Sequence, residues 1–148
     1  MKIATWNVNS INIRLEQVLN WLAKTGTDVL CLQETKCVDE KFPFEEFAAA
    51  GYQTAFTGEK SYNGVAIVSK YEIRDVQKNF HDDADDAPKR LIAATIEGIR
   101  IVNTYIPNGT ELWSEKFTFK LDWLQRLRKM FDETCDRTCD VLLCGDFN

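Results

Sequence analysis

Lys2-Ile3-Ala4-Thr5-Trp6-Asn7-Val8 reads as a β-strand, and the residues that follow it decide the fold. Ile11, Leu15, Val18, Leu19 and Leu22 recur at helical spacing, which gives a helix one apolar face. Ser10 stands where an N-cap is expected, and Gly26 lies just past the helix end. Asp28-Val29-Leu30-Cys31-Leu32 is a short apolar run bounded by polar residues, the mark of a buried strand. Strand, helix, strand in this order pairs two strands in parallel beneath a covering helix.

Further along, a short helix is expected near 44–49, before Gly51. Strand-like runs occupy 52–57, 64–69, 73–78, 90–97 and 99–105, and Glu97-Gly98 suggests a tight hairpin turn between the last two. A long helix begins after Ser114, with Phe117, Leu121, Leu124, Leu127 (or Arg128) and Phe131 as its apolar stripe. Val141-Leu142-Leu143-Cys144 forms the last strand and ends in Gly145-Asp146-Phe147-Asn148. Strands and helices alternating around an antiparallel insert predict an α/β layered sandwich, and neither a repeat nor a linker interrupts it.

Composition narrows the class. The 148 residues suffice for one domain with a core, and 45% hydrophobic with 28% charged residues is an ordinary soluble profile. Apolar runs fall short of the roughly 20 residues that span a bilayer. The N-terminus lacks the apolar region of a signal peptide, so no membrane partner is expected and a cytoplasmic location is the default. A net charge of −5 argues against a nonspecific nucleic-acid coat but allows an acidic metal site with a basic rim. Asp82, Asp83, Asp85 and Asp86 read as a solvated loop, lacking the glycines of a calcium loop. Cys31 and Cys144 lie in apolar runs and read as buried core thiols. Cys135 and Cys139 could share a helix face, but the single histidine is His81, so a zinc site is not expected.

Polar residues gather where the apolar strands end: Asn7 and Asn9, Gln33 and Glu34, Asn103 and Tyr105, Asp146 and Asn148. One such residue is a cap or turn; four strands ending this way form a site, because loops at strand ends converge over a rigid base. Carboxylates and amides are hard oxygen ligands, suited to magnesium (Mg2+) or manganese (Mn2+). The residues alone therefore point to a phosphate-ester site with a divalent metal.

Trp6-Asn7-Val8-Asn9-Ser10, Leu32-Gln33-Glu34-Thr35-Lys36, Tyr62-Asn63-Gly64-Val65-Ala66, Asn103-Thr104-Tyr105-Ile106-Pro107-Asn108-Gly109 and Gly145-Asp146-Phe147-Asn148 occur in an ordered series. In this series the chain resembles the exonuclease–endonuclease–phosphatase superfamily, and within it the bacterial exonuclease III branch of apurinic/apyrimidinic endonucleases. The resemblance implies a DNase I-like four-layer α/β sandwich, with mixed β-sheet and covering helices. It also implies that 1–148 is the N-terminal portion of such a domain, with the C-terminal half absent. Glu34 would then bind the metal with Asn7 beside it. Asp146 would orient or deprotonate the attacking water, Asn148 would hold a phosphate oxygen or the water, and Tyr105 would reach the scissile phosphate. Arg90 and Lys116 would meet the DNA backbone, and Asn108 the substrate near the lesion.

The implied activity is magnesium- or manganese-dependent cleavage of double-stranded DNA at abasic sites or 3′ ends, in base excision repair. The later half of the family's domain supplies a further Asp and an Asp-His pair, so this portion alone is expected to be inactive. It is also expected to self-associate, with its last strand frayed. Two rival readings are a superfamily phosphatase acting on lipid or inositol phosphates and a non-catalytic DNA-binding module. The 103–109 segment and Lys116 favour the DNA branch. Trp113 reads as core or hinge packing rather than a base-stacking platform.

Overall fold

Two helix-covered sheets packed face to face bury the apolar core of the chain. The computed structural model describes residues 1–136 and 138–148. Its strands are β1 (Ile3–Asn7), β2 (Val29–Gln33), β3 (Gln53–Thr57), β4 (Val65–Ser69), β5 (Arg74–Lys78), β6 (Leu91–Ile96), β7 (Ile99–Tyr105) and β8 (Val141–Asp146). Its helices are α1 (Ile11–Thr25), α2 (Phe44–Ala49) and α3 (Glu115–Thr134). One sheet has the order β1-β2-β4-β3 and the other β5-β6-β7-β8. The first strand, helix and strand form the expected parallel unit, with Ile3 opposite Val29 and Asn7 opposite Gln33.

Side-chain alternation along the strands builds the layers. Val29 and Cys31 of β2 and Val65 and Ile67 of β4 face Ile92, Ala94, Ile96 and Ile101 of the other sheet. Their neighbours Leu30, Leu32, Ala66 and Val68 point the opposite way, onto Ile11, Val18 and Leu22 of α1 and Phe47 of α2. Leu91, Ala93 and Val102 face outward from the second sheet onto Trp123, Leu127 and Met130 of α3. Helix, sheet, sheet and helix make the four-layer α/β sandwich expected from the sequence.

Several local expectations change. Ser10 does not cap α1 through its side chain. Its left-handed backbone (φ 88°) instead lets its N–H donate to Glu34 O at 2.7 Å, while Ile11 N–H donates to Thr35 O at 3.1 Å. The start of α1 is thus capped by the chain leaving β2. Gly26 closes α1 in the left-handed conformation, as expected. Glu97 and Gly98 both have positive φ, the signature of a tight two-residue hairpin. Ser114 caps α3, accepting from Phe117 N–H. The expected stripe of α3 holds at Leu127, which is buried, and at Leu124 and Phe131, which pack against the same core, but its centre lies at Trp123, Leu127 and Met130, and Leu121 is 44% exposed. Cys135 and Cys139 lie beyond the end of α3 and share no helix face. The acidic loop is tied down: Arg126 of α3 pairs with Asp82 and Asp83.

The sheet faces expected to lie bare are mostly covered. Residues 65–68, 91–94 and 101–102 are buried. Of the four runs expected to lie bare, 141–143 is the one that stays open, with Val141 and Leu143 exposed on the edge strand β8. β8 is nevertheless not frayed, since it pairs in parallel with β7 from Arg100–Val141 to Tyr105–Asp146. Gly145 makes that pairing possible. A Cβ on it would lie 1.9 Å from Thr104 O, at a φ of +138°. Gly145→Ala is therefore expected to destabilise the protein by more than about 1 kcal/mol, read as a lower midpoint of urea unfolding. An unchanged midpoint would mean that β8 is not held as described. Among the described residues, no helix is long and apolar enough to cross a membrane.

Candidate active site

The inward-facing rows of four strands change from apolar to polar toward one end of the sandwich. By alternation they run Ile3, Thr5, Asn7 on β1; Val29, Cys31, Gln33 on β2; Ile101, Asn103, Tyr105 on β7; and Leu142, Cys144, Asp146 on β8. The last residues of these rows lie at the C-terminal ends of two parallel pairs, where an open α/β sheet offers its crevice. Just below them a polar lock joins the sheets. Gln33 Nε2 donates to Asn103 Oδ1 at 2.7 Å and reaches Thr5 Oγ1 and Cys31 O. Asn103 Nδ2 donates to Leu32 O and Ala66 O, both at 2.9 Å. Gln33 and Asn103 are essentially inaccessible to solvent, so this network must be satisfied internally, and it is.

Above the lock, Asn7 joins two carboxylates. Its Nδ2 donates to Glu34 Oε1 at 2.8 Å and to Asp146 Oδ2 at 2.7 Å. Its Oδ1 is taken by Asn9 N–H at 3.1 Å, so Asn7 works here as a bracket between the two acids. The other Glu34 oxygen, Oε2, lies 2.9 Å from the ammonium of Lys36, which also donates to Asn9 Oδ1 at 2.5 Å. Burial pushes the Glu34 carboxyl up, but Asn7, Lys36 and Tyr105 together outweigh it and hold the group below its ordinary range. Glu34 and Lys36 both sit at a φ of 53°, a strained position for residues with side chains. The loop is held there by Thr35 N–H donating to Gly64 O and Lys36 N–H to Asn63 O. Gly64 permits that approach, since a Cβ on it would meet Thr35 Oγ1 at 2.0 Å.

Tyr105 links this cluster to an open cleft. Burial first, then the Glu34 carboxylate, raises its phenol above the ordinary value, while Arg90 acts the other way. The Arg90 guanidinium lies 4.6 Å from the Tyr105 ring centre and donates to Tyr105 O at 3.1 Å. Burial lowers the Arg90 pKa, and its Nε is buried without a partner among the described residues. Arg90, Tyr105, Pro107, Asn108, Lys116 and Phe119 line a cleft of about 490 Å³. Asn148 sits beside Asp146: its N–H donates to Asp146 Oδ1 at 3.0 Å and its Nδ2 to Ile106 O at 2.8 Å. Lys120 reaches Asn148 O at 2.6 Å.

The eight residues singled out from the sequence thus fall into two touching groups. Asn7, Glu34, Asp146 and Asn148 form the bracketed acids, and Arg90, Asn108 and Lys116 the cleft, with Tyr105 common to both. Lys36, Gln33 and Asn103 carry more of the geometry than sequence reasoning assigned them; their place inside the quoted motifs was the available signal. Trp113 is 89% exposed and lies outside the core expected for it within residues 1–148, and Tyr62 is 70% exposed. Two carboxylates and amides without histidine or thiolate match the oxygen donors of Mg2+ or Mn2+, which need only one or two carboxylates. The Lys36 ammonium already pairs with Glu34 Oε2, so that oxygen is placed to meet a positive charge. Among the described residues, no group of three or more His, Cys, Asp and Glu converges to hold a metal ion, so a cation here would draw on the two carboxylates, amides and water.

Residues 4–148 match the Endonuclease/Exonuclease/phosphatase family. The chain is 33% identical to exodeoxyribonuclease III of Haemophilus influenzae over 153 residues, covering 100% of this chain and 57% of that protein. Among solved structures it resembles a 3′ phosphatase from Neisseria bound to a product DNA hairpin, with a TM-score of 0.95, 43% identity, and coverage of 100% of this chain and 58% of the other. An AP endonuclease from Archaeoglobus fulgidus gives a TM-score of 0.92 and 45% identity, covering 99% of this chain and 57% of that one. The chain thus spans a little over half the length of each.

Proposed function

The chain belongs to the endonuclease/exonuclease/phosphatase family, and from that premise we propose that it is the first part of a metal-dependent DNA phosphodiesterase of the exonuclease III type. Its substrates in this reading are double-stranded DNA at abasic sites and at 3′ ends, within base excision repair. The observation that carries the reading is the Asn7 bracket. It holds Glu34 and Asp146 side by side next to Tyr105, at the mouth of a cleft lined by Arg90, Asn108 and Lys116.

Glu34 would hold the metal, with Asn7 fixing the orientation of its carboxylate. Mg2+ or Mn2+ bound there would neutralise phosphate charge and make water a better nucleophile. Asp146 is oriented through both oxygens, by Asn7 and by the Asn148 N–H, and it directs or accepts the proton of the attacking water. The Tyr105 phenol, protonated at neutral pH at its ordinary pKa and held further above it by burial and by Glu34, can donate to a phosphate oxygen as charge develops. Arg90 steadies the Tyr105 ring and, with Lys116 and Asn108, faces the DNA backbone. Apart from a longer chain, 148 residues with β8 open are proposed to self-associate, which light scattering in dilute solution would test.

Incision of a synthetic abasic duplex by the full natural reading frame is the direct test. Activity is expected with Mg2+ or Mn2+ and is expected to vanish on chelation and return when metal is restored. Release of phosphate from inositol phosphates, without DNA incision, would favour the lipid or inositol phosphatase reading. Metal-independent DNA binding without turnover would favour a non-catalytic module. Tyr105→Phe keeps the ring under Arg90 and deletes only the hydroxyl. It is expected to cost turnover about 10²–10³-fold with little change in unfolding midpoint. An unchanged rate would make Tyr105 a packing residue.

A further inference from the structure

Trp113 is the most exposed large apolar side chain among the described residues, at 89%, and its neighbour Leu112 is 70% exposed. The position is strained as well as wet. Trp113 has a φ of 68° and Thr110 a φ of 53°, where side-chain-bearing residues are disfavoured. The tip is nevertheless held stiffly. Thr110 N–H donates to Asn108 Oδ1 at 2.8 Å, and Ser114 Oγ reaches Glu111 O at 2.7 Å and Gly109 O at 3.1 Å. The Trp113 indole meets the Phe117 ring edge-on, with centres 6.5 Å apart. A bulky residue held in strain, with its face in water, is an expense that folding does not require.

Position gives the tip its meaning. The loop leaves the cleft through Pro107, Asn108 and Thr110 and re-enters it through Glu115, Lys116 and Phe119. The indole therefore stands on the rim of the cleft that faces phosphate in the reading above. Glu111 on the loop and Glu115 on the cleft wall repel phosphate near the indole, while Lys116 and Arg90 in the same cleft attract it. A tip with this arrangement meets the uncharged face of a base rather than the backbone. We propose that Trp113 is a base-stacking residue that takes the face of an unstacked nucleobase of the DNA lying in the cleft. This inference rests on the DNA-nuclease reading. Stacking of this kind is sequence-tolerant, because every base presents a π-face.

The test uses the full natural chain, chelator to prevent turnover, and a duplex carrying a synthetic abasic-site analogue. Within residues 1–148 the other tryptophans are shielded, Trp123 at 5% exposure and Trp6 and Trp21 half-buried, and the difference between wild type and Trp113→Phe isolates the emission of Trp113. Duplex binding is expected to quench that emission in the wild type but not in Trp113→Phe. Trp113→Ala is expected to bind about tenfold more weakly, with Trp113→Phe between it and wild type. Trp113→Gly separates stacking from folding. Glycine accepts the positive φ, so its melting temperature should equal or exceed wild type while its DNA affinity falls. Wild-type affinity in Trp113→Ala with no quenching would overturn the proposal and leave the nuclease reading intact. A lower melting temperature in Trp113→Gly with unchanged affinity would also overturn it, making Trp113 structural. Should the wild type cleave no DNA, the nuclease reading fails on its own, and the quenching and affinity results still decide the stacking.

Discussion

Glu34→Gln in the full natural chain is expected to lose DNA-cleaving activity by orders of magnitude while folding normally. The substitution keeps the shape of the side chain and an oxygen to accept from Asn7, so the bracket to Asp146 survives. What disappears is the charge that attracts a cation. The fall should exceed the roughly 10–100-fold seen when a group merely supporting a metal ligand is removed. Stability should move little, because the ion pair lost with Lys36 is partly exposed, and such pairs contribute about 1 kcal/mol or less. The check is incision of the abasic duplex under limiting magnesium, alongside a urea unfolding curve. Near-normal incision would remove Glu34 from the metal site.

Asn103→Ala is expected to produce the largest loss of stability of any single change discussed here. Its side chain accepts from Gln33 Nε2 and donates to Leu32 O and Ala66 O, so one amide ties β7 to β2 and β4 across the interior. Removing it leaves buried polar atoms short of partners and opens a small void between the sheets. Each such buried group costs about 1–3 kcal/mol, so the expected loss is about 3–4 kcal/mol in all. At this chain length that corresponds to a melting temperature lower by on the order of 10 °C. Asn103→Leu should fill the void but rescue little, since Gln33 and the two carbonyls remain. A loss below about 1 kcal/mol in the alanine variant would mean that the sheets are held by apolar contact alone.

The fold was largely legible because its signals are periodic. Ile11, Val18 and Leu22 mark the buried face of α1, and the alternation in β2 and β4 follows from two-sided burial. The residues of the candidate site were legible as types at strand ends, but their connections were not. That Asn7 spends both amide hydrogens on two acids depends on sheet register, and register is a property of strand pairing rather than of any one segment. Asn103 looked like a site residue and is a buried clamp, which a sequence cannot distinguish, since both roles need a polar residue near a strand end. The stripe of α3 was right at Leu124, Leu127 and Phe131 but missed Trp123 and Met130 and included the exposed Leu121, because only the docked sheet chooses between adjacent helix faces. Ser10 lost its cap role to the backbone of Glu34 and Thr35, a contact between segments distant in sequence. Trp113 was read as packing because large aromatics are mostly buried, a tendency that function overrides at a loop tip.

The Asn7–Asp146 hydrogen bond joins residues 139 positions apart. On a ribosome adding about 5–20 residues per second, Asn7 therefore emerges roughly 7–30 seconds before the acid it must hold. During that interval β1, β2 and β4 can assemble, whereas β7 keeps an open edge until β8 arrives. Assembly of the bracketed acids is thus a late event of synthesis, and the nascent chain carries Glu34 and Asp146 in two pieces that meet only when β8 arrives.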